Sequence, residues 1–268
     1  MSEWVQTFWL SILQGLTEFL PVSSSGHLVL VPSLLGWEDQ GLVFDVAVHI
    51  GTLLAVLFYF RKEVLLLMSD WVKSISGGGM TVYGRLAWSI GFATIFVGVA
   101  GVVFENTIDG MLRNPIPIAV ATIVFGIVLG LADKFGQRVR DIDSIGWRDA
   151  CIIGFAQAIA LIPGTSRSGI TISAGLAVGL TREAAARFSF LLSIPVILLA
   201  GGWQSRKLFG DNNGDLIDVR LLVFAIVISA MFAWMCIHYF LRFIDRFGFL
   251  PFVIYRLLLG VILLLVFM

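Results

Sequence analysis

Gln14-Gly15-Leu16-Thr17-Glu18-Phe19-Leu20-Pro21-Val22-Ser23-Ser24-Ser25-Gly26-His27 is polar where the sequence on either side of it is apolar. A carboxylate, a run of three serines, a glycine and an imidazole interrupt two greasy segments. At membrane depth such groups are costly unless they pair with one another or line a wet cavity. The chain answers this stretch once, far downstream, at Ile162-Pro163-Gly164-Thr165-Ser166-Arg167-Ser168-Gly169. The two read as halves of one site.

The rest of the chain identifies its solvent. Of 268 residues, 58% are hydrophobic and 13% charged, and the mean hydropathy is +0.95. A soluble domain is nearer half apolar and a quarter charged, so lipid covers most of this surface. The 22 Phe and 8 Trp suit lipid-facing and interfacial positions. The formal net charge is zero, and nothing suggests nucleic acid. Cys151 and Cys236 lie in apolar surroundings without metal-ligand spacing and read as buried thiols, with no disulfide framework implied. The N-terminus lacks the basic region of a cleaved signal peptide, so the first apolar segment is expected to stay.

Residues 4–20 form an apolar helix interrupted by Gln14, Thr17 and Glu18, and Pro21 and the serines stop it. Residues 28–36 are apolar again but short. A spanning helix needs roughly 20 apolar residues, so two short pieces around a polar turn predict a re-entrant hairpin. Irregular backbone is tolerated at that depth only against protein or a water-filled cavity. Spans follow at about 42–60, 86–104 and 116–133, with a loop carrying Arg61, Lys62 and three consecutive glycines after the first. The pattern then restarts. Residues 150–163 are apolar, Pro163-Gly164 breaks them, 170–180 is short, and spans follow at about 187–203, 219–241 and 250–268.

Gln14 precedes Gly26 by the interval that separates Gln157 from Gly169. The expected fold is therefore all-α: one integral membrane domain over 1–268, built of two inverted repeats at about 1–133 and 150–268. Each repeat is a re-entrant helical hairpin plus three transmembrane helices, and an odd span count turns the second copy over. Arg61, Lys62, Lys73 and Arg85 share a side with Lys134, Arg138, Arg140 and Arg148 in this topology, joined by Arg182, Arg242 and Arg246. The other side has Arg113, Arg206, Lys207 and Arg220, diluted by Asp211, Asp215 and Asp218. The basic side should be cytoplasmic, with both termini outside.

The two turns carry the chemistry. Gln14 and Glu18 are four apart and share a helix face. Ser23, Ser24, Ser25, Gly26 and His27 follow. Gly-Ser turns can aim successive backbone N–H groups at an anion. Arg167, among Thr165, Ser166, Ser168 and Gly169, suits bidentate phosphate contact, and a helix starting near Ile170 would point its positive end at the same anion. A hydroxyl nucleophile, an imidazole, a carboxylate and an arginine make a phosphoryl-transfer set. Blander readings stand beside this. Membrane serines often bond back to backbone or glue helices; Glu18 and Arg167 could form a structural ion pair; His27 could be a core histidine. His49 and His238 lack polar company and read as structural. Asp45 reads as interfacial, Arg256 as a snorkelling side chain, and Gln157 as repeat echo or helix glue.

The run from Gln14 to His27 resembles the first signature of the undecaprenyl-pyrophosphate phosphatase family, the bacitracin-resistance proteins. Pro163 to Gly169 resembles its second, and Pro251-Phe252-Val253-Ile254-Tyr255-Arg256 is also similar to the family. The resemblance covers essentially the whole chain. It implies a multi-pass bacterial inner-membrane enzyme that removes the terminal phosphate of a C55 polyprenyl diphosphate, recycling the carrier for peptidoglycan. It also implies the inverted-repeat fold, an outward-facing site and a divalent cation, Mg2+ or Ca2+. Its expected partners are the long-chain lipid and the membrane, and pairing as a homodimer is left open. Residue by residue it implies catalytic roles for Glu18, Ser24, His27 and Arg167, substrate contacts from Ser23, Ser25, Gly26, Thr165, Ser166, Ser168 and Gly169, and metal ligation by Glu18 and Gln14. Many members carry Glu where this chain has Gln14, so Glu18 bears more of the burden. The competing reading is a transporter or lipid flippase with the same head-group pocket; a channel is disfavoured because the charges cluster around an anion-like pocket.

Overall fold

The structure is a computed structural model that describes residues 2–37, 40–105, 115–210 and 218–267. Arg113, Asp211 and Asp215, counted above in the charge balance, lie outside the described residues. Every regular element described is helical: α1 Glu3–Thr17, α2 Ser24–Leu35, α3 Gly41–Tyr59, α4 Arg61–Ile75, α5 Val82–Val103, α6 Pro115–Phe135, α7 Trp147–Ile159, α8 Arg167–Ala177, α9 Arg182–Gly210, α10 Val219–Phe247 and α11 Leu250–Phe267. Six of them, α3, α5, α6, α9, α10 and α11, have windows long and apolar enough to cross a bilayer, from 18 to 29 residues. At about 1.5 Å per residue these match a hydrocarbon core of about 30 Å. The protein is a multi-pass membrane protein.

The two short pairs, α1–α2 and α7–α8, form helical hairpins around the polar turns, where the sequence leads one to expect re-entrant segments. Their partners exchange. α1 packs on α10 while α7 packs on α5, and α10 also holds α3 while α5 also holds α9. Small residues permit the close crossings. A Cβ on Gly15 of α1 would stand 2.7 Å from the Ser229 carbonyl oxygen of α10, and one on Gly154 of α7 would stand 2.7 Å from the Ala93 Cα of α5. α6 and α11 pair with one another.

One segment departs from the sequence reading. The stretch after the first span, expected as a loop, begins with α4. Its apolar side chains Leu65, Met68, Val72 and Ile75 are exposed, while Asp70 turns inward to accept from Thr81 Oγ1 at 2.7 Å and Lys73 Nζ at 3.1 Å. Mixed charge and short apolar stripes hid this helix, which has the composition of one lying in the interface. Cys236 is buried as expected and its thiol donates to the Leu16 carbonyl, whereas Cys151 is half-buried.

Candidate active site

The tips of the two hairpins meet in the interior. Ser168 Oγ of the second donates to the Leu20 carbonyl of the first at 2.8 Å. Arg256, expected to snorkel, is instead fully buried beneath both tips. It donates to the carbonyls of Pro21 (3.3 Å) in the first turn, Gly164 (2.9 Å) and Thr165 (2.8 Å) in the second, and Thr122 (3.1 Å) on α6. Both turns leave the helix with interrupted hydrogen bonding, and buried carbonyls need donors. The guanidinium, with five N–H groups in a fixed fork, supplies several at once. Gly164 is required here: its φ is +91° and a Cβ would run into the Ile118 carbonyl.

Each turn ends in a serine with positive φ, Ser23 at 76° and Ser166 at 69°. Each stands three residues before the glycine of its motif. Such a backbone costs of order 1–3 kcal/mol and clusters at functional sites. It delivers the next residue, Ser24 or Arg167, as the first of a new helix. Ser166 Oγ caps α8 by accepting from Gly169 N at 3.1 Å, so α8 starts at Arg167 and not near Ile170.

Glu18 is the hub. Its Oε2 accepts from Ser24 Oγ at 2.9 Å and from Gln14 Nε2 at 3.0 Å. Its Oε1 faces Arg167 Nη2 at 3.2 Å, and Arg167 Nη1 donates to the Ser189 carbonyl at 3.0 Å. The ion pair weighed above is present, but both partners also line a cavity of about 200 Å³ with Ser23, Ser24 and Ser166. His49 and Gln204 line it too, and His49 Nε2 stands 3.7 Å from Glu18 Oε2. The sequence reading missed both. A lone polar residue in a span has no local signature, and only the packing of α3 and α9 around the hairpin tips brings them in.

His27 is placed differently from the expectation. It is 5% exposed, with Nδ1 2.7 Å from the Ser23 carbonyl and Nε2 2.5 Å from the Tyr255 hydroxyl of α11. It does not line the cavity. Within this geometry the imidazole ties the Ser23 carbonyl of the first turn to the Tyr255 hydroxyl of α11. Ser168 and Thr165 are also buried behind the cavity wall; Ser168 serves as an inter-hairpin tie. Gly169 lets Arg256 approach, since a Cβ there would meet Arg256 Nη1 at 2.8 Å. Gly26 is buried under the first turn, and the Ser25 side chain lies outside the described part. Gln14 is buried behind Glu18, with Oε1 lacking a hydrogen-bond partner.

A divalent cation can be tested against these donors. No group of three His, Cys, Asp or Glu side chains gathers among the described residues. Glu18 offers one carboxylate, Ser24 a hydroxyl, and the partnerless Gln14 Oε1 a further oxygen if its amide turns over. One or two carboxylates completed by substrate phosphate oxygens is the usual arrangement for Mg2+, and the set fits a cation shared with a phosphate.

The model for "Bacitracin resistance protein BacA" matches residues 7–262. The chain belongs to the BacA family. Relatives named "Undecaprenyl-diphosphatase" support the assignment. The one from Nitrosococcus oceani is 52% identical over 97% of this chain and 98% of its own length. That from Thioalkalivibrio sulfidiphilus is 51% identical over 98% of each, and that from Hahella chejuensis 51% over 96% of each. The match covers 96–98% of these relatives' own lengths, and both hairpin tips lie inside the region matched by the family.

Proposed function

We infer that this BacA-family protein is an undecaprenyl-diphosphatase, hydrolysing the terminal phosphate of a C55 polyprenyl diphosphate to return the lipid carrier to cell-wall synthesis. The observation that carries the chemistry is the Ser24–Glu18 hydrogen bond beside Arg167 in one cavity. A nucleophile within 2.6–3.2 Å of a base is the requirement for activation.

The diphosphate head enters between the hairpin tips and its chain stays among the helices. Ser24 Oγ attacks the terminal phosphorus, its proton passing to Glu18, and the bond from phosphorus to the bridging oxygen breaks, releasing the lipid monophosphate. Water then cleaves the phosphoserine and Glu18 returns the proton to Ser24. Arg167, anchored on Ser189, neutralises phosphate oxygens, the main task in phosphoryl transfer. A divalent cation held by Glu18, with Gln14 and Ser24 in support, would neutralise further charge. His27 and Arg256 position the turns.

The exchanged helix pairing and the matched serines of positive φ support two inverted repeats, and the loop charges support an inner-membrane protein with its site open to the outside. A flippase would use Arg167, but has no need of a hydroxyl bonded to a carboxylate. Phosphate release from long-chain polyprenyl diphosphate by purified protein in detergent, with and without chelator, tests the reading. Protein that moves this lipid across vesicles without releasing phosphate would replace it with the transport reading.

A further inference from the structure

We propose that His49 is a nitrogen ligand of the cation in this site, so that the enzyme ranks Co2+ and Ni2+ above Mg2+ and Ca2+. The inference rests on reading the cavity as the diphosphate site, and it departs from the Mg2+ or Ca2+ expected of the sequence.

Three observations carry it. First, His49 is the histidine that lines the cavity; its side chain is 37% exposed and that of Glu18 is 7% exposed, so the two form a wall open on the His49 side. Second, the ring is oriented as ligating imidazoles are. Nδ1 lies 2.7 Å from the Asp45 carbonyl, an acceptor only, so Nδ1 carries a hydrogen and the nitrogen available to a cation, in the neutral ring, is the Nε2 that faces Glu18. A histidine bound to a metal almost always donates its other N–H in this way. Third, Nε2 and Glu18 Oε2 are 3.7 Å apart. That is too long for a hydrogen bond. Metal bonds of about 2.0–2.2 Å place adjacent ligand atoms roughly 3–4 Å apart, so a single cation can bridge them.

The composition of the site decides the metal. Gln14 brings no charge, so a cation finds one carboxylate, one imidazole and the phosphate oxygens of its substrate. Mg2+ and Ca2+ take oxygen ligands, whereas imidazole suits later first-row metals and affinity rises along that series. Two protein ligands form a weak site alone, and binding should tighten when a diphosphate supplies the rest.

The test uses the purified full chain in detergent with Mn2+ and methylenediphosphonate, a diphosphate analogue that resists hydrolysis. Pulsed electron paramagnetic resonance should show nitrogen coupling to bound Mn2+ in the unsubstituted protein. His49→Gln should abolish that coupling and weaken Mn2+ binding about tenfold or more, while changing Mg2+ binding little. His27→Gln should leave the coupling in place. Bound Mn2+ without nitrogen coupling, or equal Mn2+ affinity in His49→Gln, overturns the proposal. These readouts need no turnover. Loss of the phosphatase reading itself would appear separately, as no phosphate release from the lipid with any of the four cations.

Discussion

At the residue scale the site is a carboxylate with a hydroxyl on one oxygen and a guanidinium on the other. Ser24→Ala should cost at least about 10²-fold in turnover, the lower end of what acid–base activation supplies, with much smaller change in substrate binding. Rapid-quench trapping of a phosphoenzyme, present in the unsubstituted protein and lost in Ser24→Ala, would mark the covalent route; a variant keeping most of its turnover would exclude it. Arg167→Lys should not restore activity, because an ammonium lacks the planar fork that reaches the Ser189 carbonyl with one nitrogen and Glu18 with the other. Near-normal turnover in that variant would remove Arg167 from phosphate binding. Gln14→Glu adds a carboxylate behind Glu18 and should lower the cation concentration for half-maximal rate; an unchanged cation dependence would leave position 14 outside the metal's reach. Glu18, Ser24 and Arg167 were legible in the sequence because polar groups crowded into apolar runs have few uses. His49, Gln204 and Tyr255 were not, because each is a single polar residue whose meaning depends on a helix from elsewhere packing against the tips.

At the element scale the hairpins were legible from length and from proline and glycine breaks, but what joins them was not. Nothing in the sequence around Arg256 says that its guanidinium faces four carbonyls rather than the bilayer surface. Each buried carbonyl left without a partner costs about 1–3 kcal/mol. Removing an unpaired buried charge offsets part of this, so Arg256→Met should lose about 2–4 kcal/mol of stability. Thermal unfolding in detergent measures it, and a variant as stable as the parent would show that the tips are held by their other contacts. A second tie lies where α7 begins. Arg140 grips Asp149 at 2.9 and 2.7 Å and also donates to the Val178 carbonyl. Burial pushes the Asp149 carboxyl up, but the Arg140 hydrogen bonds, the Gly146 N–H and the nearby positive charges outweigh it and hold it below the ordinary carboxylate range. A carboxylate depressed in the folded state contributes stability above its unfolded pKa, and that contribution disappears as pH falls through the folded value. Unfolding temperature should therefore drop on acidification below about pH 4, and less steeply in Asp149→Asn. Parallel profiles would discount this pair.

At the scale of the whole molecule, six spans alone would put both termini on one face, but which face depends on the hairpins. If α1–α2 and α7–α8 each enter and leave on one side, the loop after α6 shares a side with the loop after α3. Lys and Arg in short loops stay cytoplasmic, and Arg61, Lys62, Arg138, Arg140 and Arg148 then lie inside. The termini and the turn before α10 would then lie outside. In that arrangement the tie between Arg140 and Asp149 would sit on the inner face. Cysteine labelling in intact cells distinguishes the arrangements, on a background in which Cys151 and Cys236 are replaced by serine or alanine. Gln137 and Asp218 are both exposed, and each can be changed to cysteine without touching a hairpin. An impermeant thiol reagent should modify the cysteine of Asp218→Cys in intact cells and reach that of Gln137→Cys only after permeabilisation. Equal labelling of the two from outside would mean that one hairpin crosses the membrane fully. The second half would then no longer be inverted, and the two tips would have to meet by some route other than entry from opposite faces.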